Sequence, residues 1–299
     1  MPEGHSIHRL ARQFTDIFTG QVLQVSSPQG RFSQGAAVLD QLQLQTAFAH
    51  GKHLFLGFEG QLFLDVHLGI YGAWTFGGDA HFRGASSIGA PRKIGEKEYG
   101  PDPALAASTA SYQGPPPARE TVRVRLVSQH GWADLVGPTL CRVLNRQELT
   151  QVRAALGPDP LDPQADPAPF YSKASLSSRP IGQILMDQKI ISGIGNIFRA
   201  ESLFRQGIDP LLPGSKLKLR QMEALWLDNR KLMERGFKLG RIVGTEAADR
   251  PGVELDQAWP DKAYYVYLRQ GQPCLHCREP IKMELLAQRK LYWCPVCQR

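Results

Sequence analysis

Two Cys-x-x-Cys pairs close together near the end of the chain, Cys274 with Cys277 and Cys294 with Cys297, leave that region little conformational freedom. Each Cys-x-x-Cys turn brings two thiolates to one side of a hairpin knuckle. Two knuckles at this interval complete the tetrahedron of a four-cysteine zinc ribbon. Four sulfur ligands close the ion's coordination and leave no position for a substrate, so one structural Zn2+ is expected rather than a catalytic one. His276 lies inside the first knuckle and is read as solvent-facing, not as a ligand. Lys282, Arg289 and Lys290 are among the cations between the knuckles, either a solvated face or contacts to phosphate.

At 299 residues the chain exceeds what a single core usually organises, so more than one folded unit is expected. Lys and Arg number 35 against 28 Asp and Glu, a net charge of +7. That surplus suits a polyanionic partner but also occurs in unrelated enzymes. No signal segment and no membrane-spanning run is visible, which points to a cytoplasmic protein, and cysteine pairs in that compartment bind metal more often than they form disulfides.

After Gly4, the residues Ile7, Leu10, Ala11, Phe14 and Phe18 recur at helical spacing. From Val22 to Phe76 short runs such as Leu54 to Phe58 and Leu62 to Val66 read as antiparallel strands, and Thr121 to Val127 as another. Pro101 to Ala118 reads as an exposed loop. The first domain, 1–136, is therefore expected to be a β-sandwich carrying a helix. Around Cys141 the pattern reads as helical, and helices dominate the middle domain, 137–260. Ile181 to Asp187 and Asn196 to Arg205 are predicted helices around a glycine turn, and Leu219, Met222, Leu225 and Leu232 line a longer one. Gly236 to Pro260 shows no period and reads as a linker or mobile loop. The tail, 261–299, is expected to be a separate small unit.

Two further features carry chemistry. Ser192-Gly193-Ile194-Gly195 leads into Asn196 at a helix start, where Asn is a favoured cap and exposed amides suit a phosphate, although such a turn can equally be structural. Pro2 follows the initiator Met1, which is normally removed before so small a residue. The freed α-amine, with a reference pKa of about 8 against about 10 for lysine, is nucleophilic at neutral pH. It can attack a sugar C1′ and pass to an iminium. Glu3 can donate or remove protons beside it.

Met1-Pro2-Glu3-Gly4, Gly51-Lys52-His53-Leu54, His67 to Gly72, Gln188 to Phe204 and Trp293 to Gln298 together resemble the formamidopyrimidine-DNA glycosylase and endonuclease VIII family, nearly end to end. The opening Pro-Glu-Gly is similar to the endonuclease VIII branch, including its actinobacterial forms. The resemblance implies an α+β multidomain fold: an N-terminal β-sandwich with a helix, a helix-two-turn-helix domain and a C-terminal zinc ribbon. Damaged or abasic double-stranded DNA would bind in a cleft between lobes. By position, Pro2 would be the Schiff-base nucleophile, Glu3 the proton donor or acceptor, and Lys52 a phosphate contact assisting β-elimination. Asn196 would hold the phosphate flanking the lesion, and Arg289 would grip the same backbone and assist δ-elimination. Ile70 and Tyr71 align with the wedge that fills the gap left by a flipped nucleotide. One of Arg123 and Arg125 would reach DNA, depending on strand register, with Arg125 taken as the contact.

Two departures from the family pattern matter. Asp134-Leu135-Val136-Gly137 lacks the Arg and Phe that the formamidopyrimidine branch carries in a DxRxxG stretch, which favours oxidised pyrimidines over 8-oxoguanine. His5-Ser6 stands where the family often has another carboxylate. The expectation is a monomeric bacterial base-excision-repair enzyme, a bifunctional glycosylase and abasic-site lyase that joins the nucleoid when bound to DNA. The competing reading is a non-catalytic damaged-DNA-binding zinc protein. A zinc-ribbon module for RNA or protein fits the tail but leaves the first residues unexplained.

Overall fold

The computed structural model describes residues 2–79, 82, 84–90, 114–259 and 261–299. Met1, whose removal the amine chemistry requires, and most of the stretch expected to be a loop before Ala118 lie outside these.

The chain forms two compact units, one holding Pro2 and 6–154, the other 3–5 and 155–299. The first opens with α1 (Gly4–Phe18), whose predicted stripe of Ile7, Leu10, Ala11, Phe14 and Phe18 is buried throughout. Phe14 meets Trp74 and Phe76 edge-on at 4.9 and 5.3 Å, contacts each worth about 1 kcal/mol beyond simple burial.

The strands are β1 (Val22–Ser26), β2 (Leu42–His50), β3 (His53–Phe58), β4 (Leu62–His67), β5 (Ala73–Gly78), β6 (Ser87–Gly89), β7 (Val122–Val127), β8 (Gly131–Val136) and β9 (Leu140–Leu144). A short helix, α2 (Ser33–Leu39), sits between β1 and β2. The strands form one antiparallel sheet in the order β6-β5-β8-β7-β1-β2-β3-β4-β9. Strand β1 joins its two halves: Val22 and Leu23 pair with β2, while Gln24 to Ser26 pair with β7. Leu54, Leu56 and Leu64 from one half share a core with Val124, Leu126 and Leu135 from the other, and with α1. The sheet thus closes on itself as a sandwich, as expected.

Leu140–Leu144, expected to be helical, is the edge strand β9 and pairs with β4. Helix α3 (Arg146–Ala154) then buries Leu149 against Phe55, Phe63 and Leu144. Together these complete the first unit, which runs to Ala154.

The second unit contains α4 (Ala168–Ser175), α5 (Ile181–Ile184), α6 (Asn196–Arg205) and α7 (Leu219–Leu239), followed by the hairpin of β10 (Lys282–Leu286) and β11 (Arg289–Trp293). The hairpin packs within the second unit. Ala200 and Phe204 of α6 share a core with Tyr265, Ile281, Tyr292 and Cys294.

The stretch after Gly236 is not a loose linker. Helix α7 continues to Leu239, and beyond it Ile242, Val243, Thr245, Arg250 and Ala258 are buried. Arg205 and Arg235 donate to the carbonyls of Gly244 and Val243, and Glu246 accepts from both arginines. These ion pairs hold the Glu246 carboxyl down to about 2 despite the opposing effect of burial. The segment follows no period because side chains from α6 and α7 position its backbone.

Candidate functional site

In the second unit the site is built around the N-terminus of α6. Gln188 shapes the turn before it: its Oε1 accepts from the Gly193 N–H at 3.0 Å and its Nε2 donates to the Ile194 carbonyl at 3.0 Å. The helix start is not open to a ligand in the way the sequence suggests. The carboxylate of Glu3, fully buried, accepts the N–H groups of Gly195 at 3.0 Å, Ile197 at 2.8 Å and Phe198 at 3.3 Å. These are the donors a helix leaves unpaired at its positive end, where an anion is favoured. Gly195 is required by this approach, since a Cβ there would lie 2.3 Å from Glu3 Cδ.

Asn196, expected as the cap, begins the helix, and Gly195 occupies the capping position. The Asn196 side chain turns to the ribbon instead, donating to the Lys290 carbonyl at 2.9 Å and accepting from Arg199. Arg199 was not singled out from the sequence. Its guanidinium, buried, also donates to the Lys290 carbonyl at 2.9 Å and to that of Gly182 at 3.3 Å. Burial lowers its pKa to about 10, offset by Glu3 and reinforced by the like charge of Arg289. Arg289 itself is exposed at the start of β11. Asn196, Arg199 and Arg289 therefore gather around one strand of the ribbon, with Glu3 as the nearby anion. The i,i+3 spacing of Asn196 and Arg199 was the available signal for the missed residue.

The four cysteine sulfurs of the ribbon lie within 4.8 Å of one another. Cys274 and Cys297 are 3.8 Å apart and Cys277 and Cys294 3.4 Å. A tetrahedron with Zn–S bonds of about 2.3 Å puts sulfurs about 3.8 Å apart, so the cage fits one zinc ion closed to substrate. His276 is not among the ligands. It packs against Phe204 and Tyr265 and lies 3.3 Å from Asp249.

In the first unit Pro2 is buried. Lys52 occupies the two-residue turn of the hairpin in which His50 pairs with His53. Ile70 and Tyr71 project from the loop between β4 and β5 and are 43% and 82% exposed, far outside the core that their residue types favour. Arg125, the expected DNA contact, lies in β7 and is buried. It pairs with Asp134 across β7 and β8, donating to both carboxylate oxygens at 2.7 Å, and to the Pro116 carbonyl. Arg123, partly exposed, donates to Gln29 at 2.6 Å.

Sequence reasoning also passed over the groups beside Lys52. His53 and His67 meet edge-on at 5.2 Å, and Asp65 lies 2.8 Å from His53 Nδ1 while accepting from Arg142. Burial, then His53 and Lys52, lower the His67 pKa to about 4.

The model for the formamidopyrimidine-DNA glycosylase H2TH domain matches residues 156–247, and that for the zinc finger found in FPG and IleRS matches 271–299. The chain is 40% identical to "Endonuclease 8 1" of Mycobacterium tuberculosis over 100% of both chains. It is 39% identical to a formamidopyrimidine-DNA glycosylase of Parasynechococcus marenigrum over 48% of this chain and 51% of the relative. Among solved structures it shares its fold with Lactococcus lactis Fpg (MutM) in complex with DNA containing N7-benzyl-Fapy-dG, at TM-score 0.73 and 18% identity over 100% of both chains. It likewise matches the MutM (Fpg) protein of Thermus thermophilus, at TM-score 0.69 and 22% identity over 99% of this chain and 98% of that one.

Proposed function

Since the chain belongs to the formamidopyrimidine-DNA glycosylase and endonuclease VIII family, of DNA glycosylases with abasic-site lyase activity, we propose that it excises oxidised pyrimidines through a Schiff base on Pro2. The Pro2 amine attacks C1′ of the damaged nucleotide and the base departs with the bonding electrons and a proton. Ring opening leaves an iminium between the nitrogen and C1′. That cation acidifies C2′, so loss of a proton there expels the 3′ phosphate, and a second elimination expels the 5′ phosphate.

Glu3 carries this reading. A carboxylate directly after the nucleophile accepts three backbone N–H hydrogen bonds at the start of the helix that bears Asn196, which holds Glu3 in a fixed position. It serves the proton transfers at the sugar. Lys52 contacts phosphate and assists the first elimination. Asn196 and Arg289 hold the backbone flanking the lesion, and Ile70 with Tyr71 fill the space of the extruded nucleotide. The absence of the DxRxxG arginine and phenylalanine supports pyrimidine over 8-oxoguanine lesions. The DNA partner is a damaged or abasic duplex, and no helix among the described residues is long and apolar enough to cross a membrane.

Borohydride trapping tests the proposal. Thymine-glycol and abasic duplexes are expected to give a covalent adduct with the protein, and a Pro2→Gly variant and an N-terminally extended form provide controls. Tight binding with neither adduct nor strand cleavage would favour the non-catalytic reading. An adduct that survives N-terminal extension would place the nucleophile elsewhere.

A further inference from the structure

We infer that His67 is a positioning residue for the wedge: its ring, with Thr139, holds the Leu68–Gly72 loop in the shape that presents Ile70 and Tyr71 before DNA arrives. The inference rests on reading Ile70 and Tyr71 as the wedge. A loop whose tip leaves Tyr71 82% exposed gains little from burying that tip, so its conformation has to be held from the base.

The base supplies the restraints. Leu68, 1% exposed, anchors the loop in the sandwich core. The Gly72 N–H donates to the Leu68 carbonyl at 2.9 Å and closes the turn. The Thr139 N–H donates to the His67 carbonyl at 2.9 Å, and His67 Nδ1 accepts the Gly69 N–H at 3.1 Å. Gly69 has φ +67°, and a Cβ there would lie 1.7 Å from Thr139 Oγ1, so loop and brace fit only with glycine at this point.

Accepting at Nδ1 requires the neutral ring with its hydrogen on Nε2. The ring is kept in place edge-on against His53, which Asp65 orients at 2.8 Å, and Asp65 is in turn held by Arg142. A chain of part-buried contacts thus reaches from β9 to the first residue of the wedge turn. Ordering the turn in advance spares the cost of ordering it during nucleotide extrusion.

The test uses the full-length protein and three variants. His67→Phe keeps a ring but removes the acceptor, His67→Asn restores an acceptor, and Tyr71→Ala removes the wedge tip. Two readouts are taken: unstacking of a 2-aminopurine beside thymine glycol in a duplex, and the ratio of duplex-lesion cleavage to trapping on single-stranded abasic DNA, which needs no extrusion. His67→Phe is expected to slow the fluorescence rise and lower the ratio about tenfold, with His67→Asn recovering most of both. An unchanged ratio in His67→Phe, or an equal fall on both substrates, would overturn the inference, the latter by showing that His67 acts on backbone or chemistry. Tyr71→Ala separates the two layers. If it lowers the ratio while His67→Phe does not, the brace fails and the wedge stands; if it leaves the ratio unchanged, the wedge reading falls and the brace with it.

Discussion

Asn196 and Arg199, one turn apart on α6, donate to the same acceptor, the main-chain carbonyl of Lys290, each at 2.9 Å. The strand that starts at Arg289 is thereby joined to the helix start that carries Asn196, and the two proposed phosphate contacts form one rigid element.

Their contributions to binding differ in kind. Asn196→Ala removes a neutral donor, and weakens binding to an abasic duplex by about ten- to a hundredfold, the worth of a hydrogen bond to a charged group. The slope of log affinity against log salt stays as it was, because no counterion release is lost. Arg289→Ala should lower that slope by about one unit. Titrations from low to moderate salt distinguish them, and a slope unaffected by Arg289→Ala would remove it from the phosphate contacts.

The ion pair of Arg125 and Asp134 makes the opposite prediction. Both side chains are about nine-tenths buried, so Arg125→Ala leaves an uncompensated carboxylate and costs about 3–5 kcal/mol in a denaturant melt. The apolar pair Arg125→Met with Asp134→Leu should recover most of that loss. The salt slope for DNA binding should not move in the double variant; a drop of one unit would return Arg125 to the DNA surface.

Zinc removal should act on binding before chemistry. The β10–β11 hairpin has only two strands, an arrangement marginal in water, and the four cysteines close its base. Chelation is therefore expected to weaken DNA affinity while borohydride trapping at saturating abasic DNA persists. Unaltered affinity in folded, metal-free protein would contradict this.

Much of this architecture is legible in the residues. The stripe from Ile7 to Phe18 and the pairs of cysteines each follow a period or spacing that one local rule reads, and Asn196–Arg205 runs as anticipated. Leu140–Leu144 is short enough that its apolar residues suit either a helix or an edge strand, and only pairing with β4 decides it. The register at Arg125 depends on a bulge between Val122 and Val124 that no local pattern marks. Glu3 meets its donors 192 to 195 residues away, and the stretch around Glu246 is fixed by arginines from two helices; contacts of that kind leave no trace in a sequence window.

His67 also gives stability a pH dependence of defined sign. Its pKa falls from an ordinary 6.5 to about 4, first because burial disfavours the cation and then through His53 and Lys52, with Asp65 opposing. The unfolded chain therefore takes up this proton before the folded one. The stabilising difference is complete above about pH 6.5 and is lost as the pH falls toward 4. The full shift would be worth about 3 kcal/mol, and residual solvent access reduces it to about 1–2. Since protonation places a hydrogen on Nδ1, opposite the Gly69 N–H, the same titration releases the loop brace. Urea melts at pH 7 and pH 4.5 are expected to show the wild type losing about 1–2 kcal/mol more than His67→Asn, whose amide does not titrate. Carboxylates and histidines distant from His67 contribute equally to both proteins and cancel in the comparison. An equal loss, or a larger one in the variant, would mean that the ring is not held neutral.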